Sequence, residues 1–208
     1  MTELEAVNML LEAIGSDVVN SLGTTPASPD VAAARRVLQR KAKMELRKGW
    51  WFNTDYGVDY EPHVSTGEIT VPATLSSIRM MDSSIVRRDG KLYDTINQTY
   101  TFTTMQTAYK QIRLPQWDEM EADMQVYAAY LAAVEFVRNE TNDMNLQTSF
   151  GKDAGLALIE LKRTNLQMKR LNMFDTRASM VMRSGVRPYS VARGLAGSLV
   201  NDTLMVNK

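Results

Sequence analysis

The first 15 residues carry hydrophobic side chains at the spacing of an amphipathic α-helix. Thr2 and Glu5 stand three positions apart, which is the spacing of a capping box and predicts that the helix begins here. The apolar positions that share one face are Leu4, Val7, Leu11 and Ile14. Gly15 follows directly and predicts the end of the helix.

A second helical pattern runs from Ser28 to Gly49. Ser28 is a typical N-cap, Pro29 suits the first helical position, and Gly49 predicts the end. The apolar stripe consists of Val31, Ala34, Leu38, Ala42 and Leu46. The basic residues on the rest of the surface are Arg35, Arg36, Arg40, Lys41, Lys43, Arg47 and Lys48. We interpret this basic surface as solvated or subunit-facing, with nucleic-acid binding as the alternative.

Between residues 50 and 114 the pattern changes to short alternating runs separated by turn residues, which is typical of β-strands. The clearest element is the segment IVRRDGKLYD. Asp89 and Gly90 supply the positive φ angles of a type I′ turn and predict a hairpin here. The other predicted strands lie in the segments WWFNTDYGVDY, GEITVPATLSSIRM, TYTFTT and AYKQIRLP.

Helical spacing returns in residues 116–140 and again in residues 152–175. The earlier helix is predicted to open with four acidic residues, Asp118, Glu119, Glu121 and Asp123. Its stripe consists of Met120, Met124, Tyr127, Leu131 and Val134, with a second apolar face at Ala128, Ala132 and Phe136. Two apolar faces predict two packing neighbours. The later helix is predicted to bury Leu158, Leu161, Met168 and Leu171.

Residues 176–208 show no sustained period and carry five basic residues against one acidic residue. We therefore predict an extended C-terminal arm that is either disordered or ordered by a partner. The predicted fold is mainly α with a β-rich insertion. Residues 1–49 and 115–175 form a helical-bundle core of four helices, residues 50–114 form a β side domain, and residues 176–208 form the arm.

Composition narrows the possible functions. The chain of 208 residues has 24 basic and 24 acidic residues, so its net charge creates no overall electrostatic field that would attract nucleic acid or an anionic membrane. The absence of cysteine excludes a disulfide scaffold, a thiolate metal site and a cysteine nucleophile. No long apolar run and no basic leader stand in the sequence, so we expect no membrane anchor and synthesis in the cytoplasm.

Groups suited to catalysis are scarce. His63 is the single histidine, and we interpret it as an exposed loop residue. We predict no catalytic, cofactor-binding or metal site. The alternative is a glycan hydrolase that uses carboxylates among Asp118, Glu119, Glu121 and Asp123, with Trp117 stacking on a sugar. Acidic residues are also favoured at a helix start for structural reasons, which is our interpretation of the cluster.

Three consecutive aromatic residues, Trp50, Trp51 and Phe52, follow the end of the second helix. Gly49 is expected to reverse the chain, so that Trp50 and Phe52 face one way on an extended segment and Trp51 faces the other. The block is then a joint between the helices and the β-rich insertion. Either one side contacts a neighbouring subunit, or all three side chains fill the core of the monomer.

Five segments in order resemble the tail tubular protein A family, the tail adaptors of short-tailed podoviruses. These segments are AVNMLLEAIG, DVAAARRVL, KGWWFN, VRRDGKLYD and IRLPQWDEM. The resemblance implies a non-enzymatic structural protein of the virion tail, assembled in the host cytoplasm as a twelve-subunit ring. It implies that the ring joins the portal protein to the nozzle formed by tail tubular protein B, with a tail fibre attached nearby.

The resemblance also implies that DNA passes through the lumen during ejection without sequence-specific binding. An alternative is a DNA-binding head-completion protein, which the balanced charge disfavours. In the arm, Arg183, Arg187 and Arg193 are expected to bind an acidic groove on the portal or on an adjacent subunit, with Tyr189 filling a pocket between them. The predicted interaction residues are therefore these four and Trp50, Trp51 and Phe52.

Overall fold

A computed structural model describes residues 1–23 and 28–169. Residues Met1–Asn165 form one compact unit. The helices are α1 (Glu3–Ile14), α2 (Pro29–Leu46), α3 (Ala122–Glu140) and α4 (Met144–Met168), and the strands are β1 (Thr54–Tyr60), β2 (Leu75–Met80), β3 (Ile85–Arg88), β4 (Lys91–Asp94) and β5 (Gln106–Arg113). The predicted arm, residues 176–208, lies outside the described residues.

The first two helices begin where the sequence predicts. Thr2 and Glu5 form the reciprocal capping box of α1, and Gly15 adopts the left-handed conformation that ends it. In α2 the Ser28 hydroxyl accepts a hydrogen bond from the Val31 amide at 3.3 Å, and Pro29 occupies the first turn. Both helix starts are therefore confirmed.

The helical core centres on α3, which packs against both α1 and α2. Its inner face is dense with alanine around Phe136, which is fully buried. The fully buried residues of α3 are Met124, Ala128, Ala129, Ala132, Ala133, Phe136 and Val137. Small side chains allow close approach of the neighbouring helices, while Phe136 fills the space between them. The two packing neighbours predicted for this helix are confirmed.

The strands form two antiparallel units. A three-stranded sheet has the order β1-β5-β2, and β3 and β4 form a separate hairpin. Asp89 and Gly90 have φ angles of 51° and 74°, so the predicted positive-φ turn is confirmed. These strands and the segments between them enclose a second core, made of Ile69, Val71, Leu75, Met80, Ile85, Leu92, Phe102 and Ala108. The described chain thus combines four helices with a small antiparallel β region.

The start of the third helix differs from the prediction. Trp117–Glu119 form a single 3-10 turn, Met120 is extended, and α3 begins only at Ala122. The Glu119 side chain accepts a hydrogen bond from the Gln116 amide at 3.1 Å, so this turn is capped separately. Asp118 and Glu119 therefore do not belong to the first turn of a long helix.

The fourth helix also differs, because it begins at Met144 and not near residue 152. The Asp143 carboxylate accepts hydrogen bonds from the amides of Asn145 and Leu146 at 2.8 and 3.2 Å, which starts the helix eight residues early. Leu161 is buried as predicted, whereas Met168 is exposed. Leu171 lies outside the described residues. The TYTFTT segment forms only isolated bridges and no strand.

Candidate interaction surfaces

The aromatic block lies where α2 meets the sheet. Gly49 has a φ of 81°, which turns the chain out of the helix. Trp50 then folds back under α2, where it is 6% exposed. Its indole N–H donates a hydrogen bond to the Glu45 carbonyl at 3.0 Å. Because both the ring and its polar N–H are satisfied inside this chain, Trp50 is a core residue of the monomer.

Asn53 links the helices to the sheet at the same place. Its side-chain N–H groups donate to the Leu46 carbonyl at the end of α2 and to the Arg113 carbonyl at the end of β5, at 2.9 and 2.8 Å. Its side-chain oxygen accepts from the Trp50 amide at 2.8 Å. Asn53 is buried, and these three hydrogen bonds to backbone groups satisfy its side-chain amide. The Asn53 side chain is therefore the polar centre of the predicted joint between the helices and the β-rich insertion.

Trp51 and Phe52 do not alternate on an extended segment, as the sequence suggested. Residues 51–53 form a turn, and the Trp51 and Phe52 rings meet edge to face at 5.1 Å between centroids. Both side chains are half-buried against the helical core that also holds Trp50. The Trp51 amide donates to the Asn165 side chain in α4 at 3.2 Å. Contact of their exposed parts with another subunit stays a prediction.

The tight turn at Gly49 gives a test of this joint. A Cβ at position 49 would lie 2.9 Å from the Ile112 Cδ1 atom and 3.0 Å from the Thr54 hydroxyl. Gly57 has a similar φ of 64°, but a Cβ there meets nothing within 4 Å. We expect each Gly→Ala change to lower the free energy of unfolding by about 1 to 2 kcal/mol for the left-handed backbone.

The Gly49→Ala protein should lose more than the Gly57→Ala protein, because only position 49 adds a steric clash. Chemical denaturation of both variants measures the difference. Equal losses at the two positions would show that Ile112 and Thr54 do not constrain the turn.

A buried carboxylate lies beside the joint. Glu45 is buried in the last turn of α2 and pairs with the Lys48 ammonium at 2.5 Å. Burial, together with the Glu45 carboxylate beside it, raises the pKa of Tyr127 to about 12. The Lys48 ammonium and the Tyr127 hydroxyl thus lie beside the Glu45 carboxylate, where α2 packs on α3.

The hydrolase alternative requires the Trp117 ring to stack on a sugar beside the acidic cluster, but this ring is buried. Trp117 is 8% exposed, and its indole N–H donates to the Met1 carbonyl at 3.0 Å. Asp123 accepts a hydrogen bond from the Thr164 hydroxyl at 2.8 Å and so ties α3 to α4. Glu119 caps the 3-10 turn. Trp117 is therefore a core residue, and two of the four carboxylates have structural partners.

One side of α4 exposes two large apolar side chains, with Lys152 and Arg163 on the same side one turn before and after them. Ala154 and Leu161 are the buried residues of this helix, yet Leu156 and Ile159 on the opposite side are 64% and 61% exposed. Gly151 and Gly155 lie on the same side, and a Cβ at either glycine would meet no atom of the described part of the chain within 4 Å. We call Gly151, Gly155, Leu156 and Ile159 the α4 outer face.

The exposed edge of α2 is basic. Arg36, Arg40, Lys43 and Arg47 follow one another at intervals of four, three and four residues, so they lie along one edge of the helix. All four are exposed. We call these four residues the α2 basic line.

The structure thus brings Trp50, Trp51 and Phe52 together at the joint, with Trp50 committed to the core. The other predicted interaction residues, Arg183, Arg187, Tyr189 and Arg193, lie outside the described residues. The α4 outer face was not predicted from the sequence. Two features of the sequence could have indicated it. Gly151 and Gly155 stand four residues apart in a helical pattern, and Leu156 and Ile159 are apolar residues outside the predicted buried stripe.

Among the described helices, none combines the length and the apolar content needed to cross a membrane. Within residues 1–23 and 28–169, no three carboxylate or histidine side chains are grouped as metal ligands would be.

Comparison with known proteins places the chain in a family. A family model described as "Tail tubular protein" matches residues 4–176, which is most of the chain. Tail tubular protein A of Klebsiella phage KP34 is 28% identical over 186 residues, which cover 88% of this chain and 97% of that protein. The residues that the family model matches contain the two cores and the joint between them. The chain belongs to the tail tubular protein family, whose members are structural proteins of the phage tail.

Proposed function

We propose that this protein is a non-enzymatic tail adaptor of a podovirus virion. In this proposal twelve copies form a ring that joins the portal to the nozzle made by tail tubular protein B, and a tail fibre attaches nearby. The ring assembles in the host cytoplasm, and the DNA passes through its lumen during ejection. Family membership supports a place in the tail.

The observation that carries the assembly proposal is the α4 outer face. Exposed apolar side chains that lie together can mark an interaction site, and Leu156 and Ile159 both lie on the outer side of α4. Glycine inside a helix also costs about 1 kcal/mol relative to alanine. Gly151 and Gly155 incur this cost although, among residues 1–23 and 28–169, no atom lies within 4 Å of the position that a Cβ would take.

A neighbouring subunit explains both features. A helix of the next copy that packs on the α4 outer face would bury Leu156 and Ile159 and use the room left at Gly151 and Gly155. In a ring each subunit presents this face in one direction and receives it on a different surface. The contact is therefore heterologous, and closure of the ring leaves no copy of the α4 outer face exposed.

The C-terminal residues are the proposed attachment to the portal. Arg183, Arg187 and Arg193 supply charge-assisted hydrogen-bond donors for an acidic groove. Repetition around the ring turns a weak single contact into a firm attachment, because each arm after the first binds at high effective concentration.

Truncation after Asp175 tests this attachment. Both cores lie before this position, so we expect the shortened protein to fold with an unchanged melting temperature. We expect it to form rings but to lose attachment to portal-bearing heads, measured by co-sedimentation. The matched control replaces Arg183, Arg187 and Arg193 together by glutamine in the full chain and should also weaken attachment. Full attachment of the truncated protein would show that the portal binds another surface.

A further inference from the structure

The α2 basic line has the dimensions of a polyanion-binding edge. From Arg36 to Arg47 it covers 11 helical steps, which is about 16 Å at about 1.5 Å per residue. Duplex DNA carries one phosphate per about 1.7 Å of its axis when both strands are counted, so several phosphates lie within reach of an edge of this length. The four cations lie on consecutive turns of the helix and present positive charge along the whole edge.

The neighbouring carboxylates leave most of this charge uncompensated. Glu3 is engaged by Arg35, at 3.0 Å, and by Gln39, both beside the line. Glu135 binds Lys41 at 2.5 Å and also contacts Arg40. Arg36, Lys43 and Arg47 have no ion-pair partner within residues 1–23 and 28–169.

The Glu135 carboxylate is paired with Lys41 and Arg40. Partial burial raises the pKa of its carboxyl group, but the hydrogen bond from Lys41 and the charges of Lys41 and Arg40 outweigh this and leave the pKa below the usual value. Glu135 is therefore ionised at neutral pH and neutralises about one of the two cations beside it. At least three positive charges of the α2 basic line still face solvent.

The composition of this edge favours a phosphate backbone over an acidic protein. The core of a protein interface is depleted of charged residues and contains large apolar side chains. Met44 is the only large apolar side chain exposed along α2. A phosphate backbone needs only cations that are free to move in solvent, which this edge supplies.

We infer that the α2 basic line binds the phosphate backbone of duplex DNA and lines the lumen of the ring. The lumen placement rests on the proposed function, whereas the binding of duplex phosphates rests on the charges alone. Binding of this kind is independent of sequence and leaves the DNA free to slide, because phosphate contacts carry no base information.

The first test titrates the full-length protein against a labelled duplex of about 30 base pairs at about 50 to 200 mM salt. The test variant replaces Arg36, Lys43 and Arg47 by glutamine. Its plot of log affinity against log salt should be shallower by about 0.9 for each phosphate that the variant no longer neutralises, with at least about tenfold weaker binding at low salt.

The matched control replaces Arg79, Arg88 and Arg138 by glutamine and so removes the same net charge from other exposed positions. It should keep the affinity and salt dependence of the unaltered protein. Equal losses in both variants, or no duplex binding by the unaltered protein, would overturn the inference. Loss of ring formation in the test variant alone would also overturn it, because the line would then be a subunit contact.

A second test locates the line in the ring. The chain has no cysteine, so Lys43→Cys and Arg79→Cys each introduce a single site for a maleimide-gold label. Electron microscopy of labelled rings should show gold at Lys43→Cys inside the lumen. Gold on the outer rim would overturn the inference while leaving the ring, and so the proposed function, intact. If the unaltered protein forms no ring, the proposed function fails and the duplex titration still decides the binding of DNA.

Discussion

Replacement of Trp50 by alanine should lower the free energy of unfolding by about 3 to 5 kcal/mol, which is the usual cost of emptying a buried aromatic site. The Trp50 ring is buried under α2, and its loss also leaves the Glu45 carbonyl without its indole donor. Asn53 would then hold the end of α2 on the sheet alone. Thermal and chemical unfolding of the purified protein measure the loss.

Trp51→Ala is the matched control, since it removes the same side chain from the adjacent position. Trp51 is only half-buried, so its replacement should cost clearly less than that of Trp50. If Trp51 also contacts a neighbouring subunit, the variant should remain folded while ring formation weakens. An equal or larger loss of folding stability at Trp51 would contradict the assignment of Trp50 as the main aromatic anchor of the joint.

Replacement of Ile159 by arginine on the α4 outer face should abolish ring formation without changing the melting temperature of the subunit. The side chain of Ile159 is largely exposed, so arginine meets solvent in the monomer. In the assembled ring the same arginine would be buried without a partner, which is prohibitive at a packed helix contact. Light scattering measures the assembly, and circular dichroism measures the melting temperature.

Val64→Arg is the control for this substitution, because Val64 is a fully exposed apolar residue in a loop. It should assemble normally. Assembly of the Ile159→Arg protein at the level of the control would show that the α4 outer face is not a subunit contact.

Gly155→Ala separates folding from assembly on the same face. Alanine is the better helix former by about 1 kcal/mol, and its methyl group meets no atom of the residues that the structure describes. The free energy of unfolding should therefore rise, while a helix packed closely on position 155 would be displaced and ring formation weakened. A more stable protein that assembles normally would show that no neighbour approaches Gly155.

The sequence predicted those parts of the fold that local chemistry determines. The capping box of Thr2 and Glu5 and the turn at Asp89 and Gly90 depend only on neighbouring residues, and both are confirmed. The start of α4 was predicted at residue 152, directly after Gly151, whereas the helix begins at Met144. Asp143 supplies the N-cap, and the helix runs through the glycine, whose cost of about 1 kcal/mol a 25-residue helix tolerates.

The joint was predicted in outline but not in geometry. Three consecutive aromatics indicated a junction, yet the sequence did not show that Asn53 would bind the ends of both α2 and β5. The contact between Asn53 and Arg113 joins residues 60 positions apart along the chain, and such pairing depends on the tertiary fold. The burial of Trp117 by the Met1 backbone is likewise a long-range contact that periodicity does not reveal.

The central claim is that copies of this chain form a closed ring that binds the portal. Electron microscopy of the purified protein, alone and mixed with the portal protein, tests it most directly. We expect rings of twelve subunits stacked coaxially on the portal, with an open or gated central channel. A protein that stays monomeric at high concentration, both alone and in the presence of portal, would contradict the account.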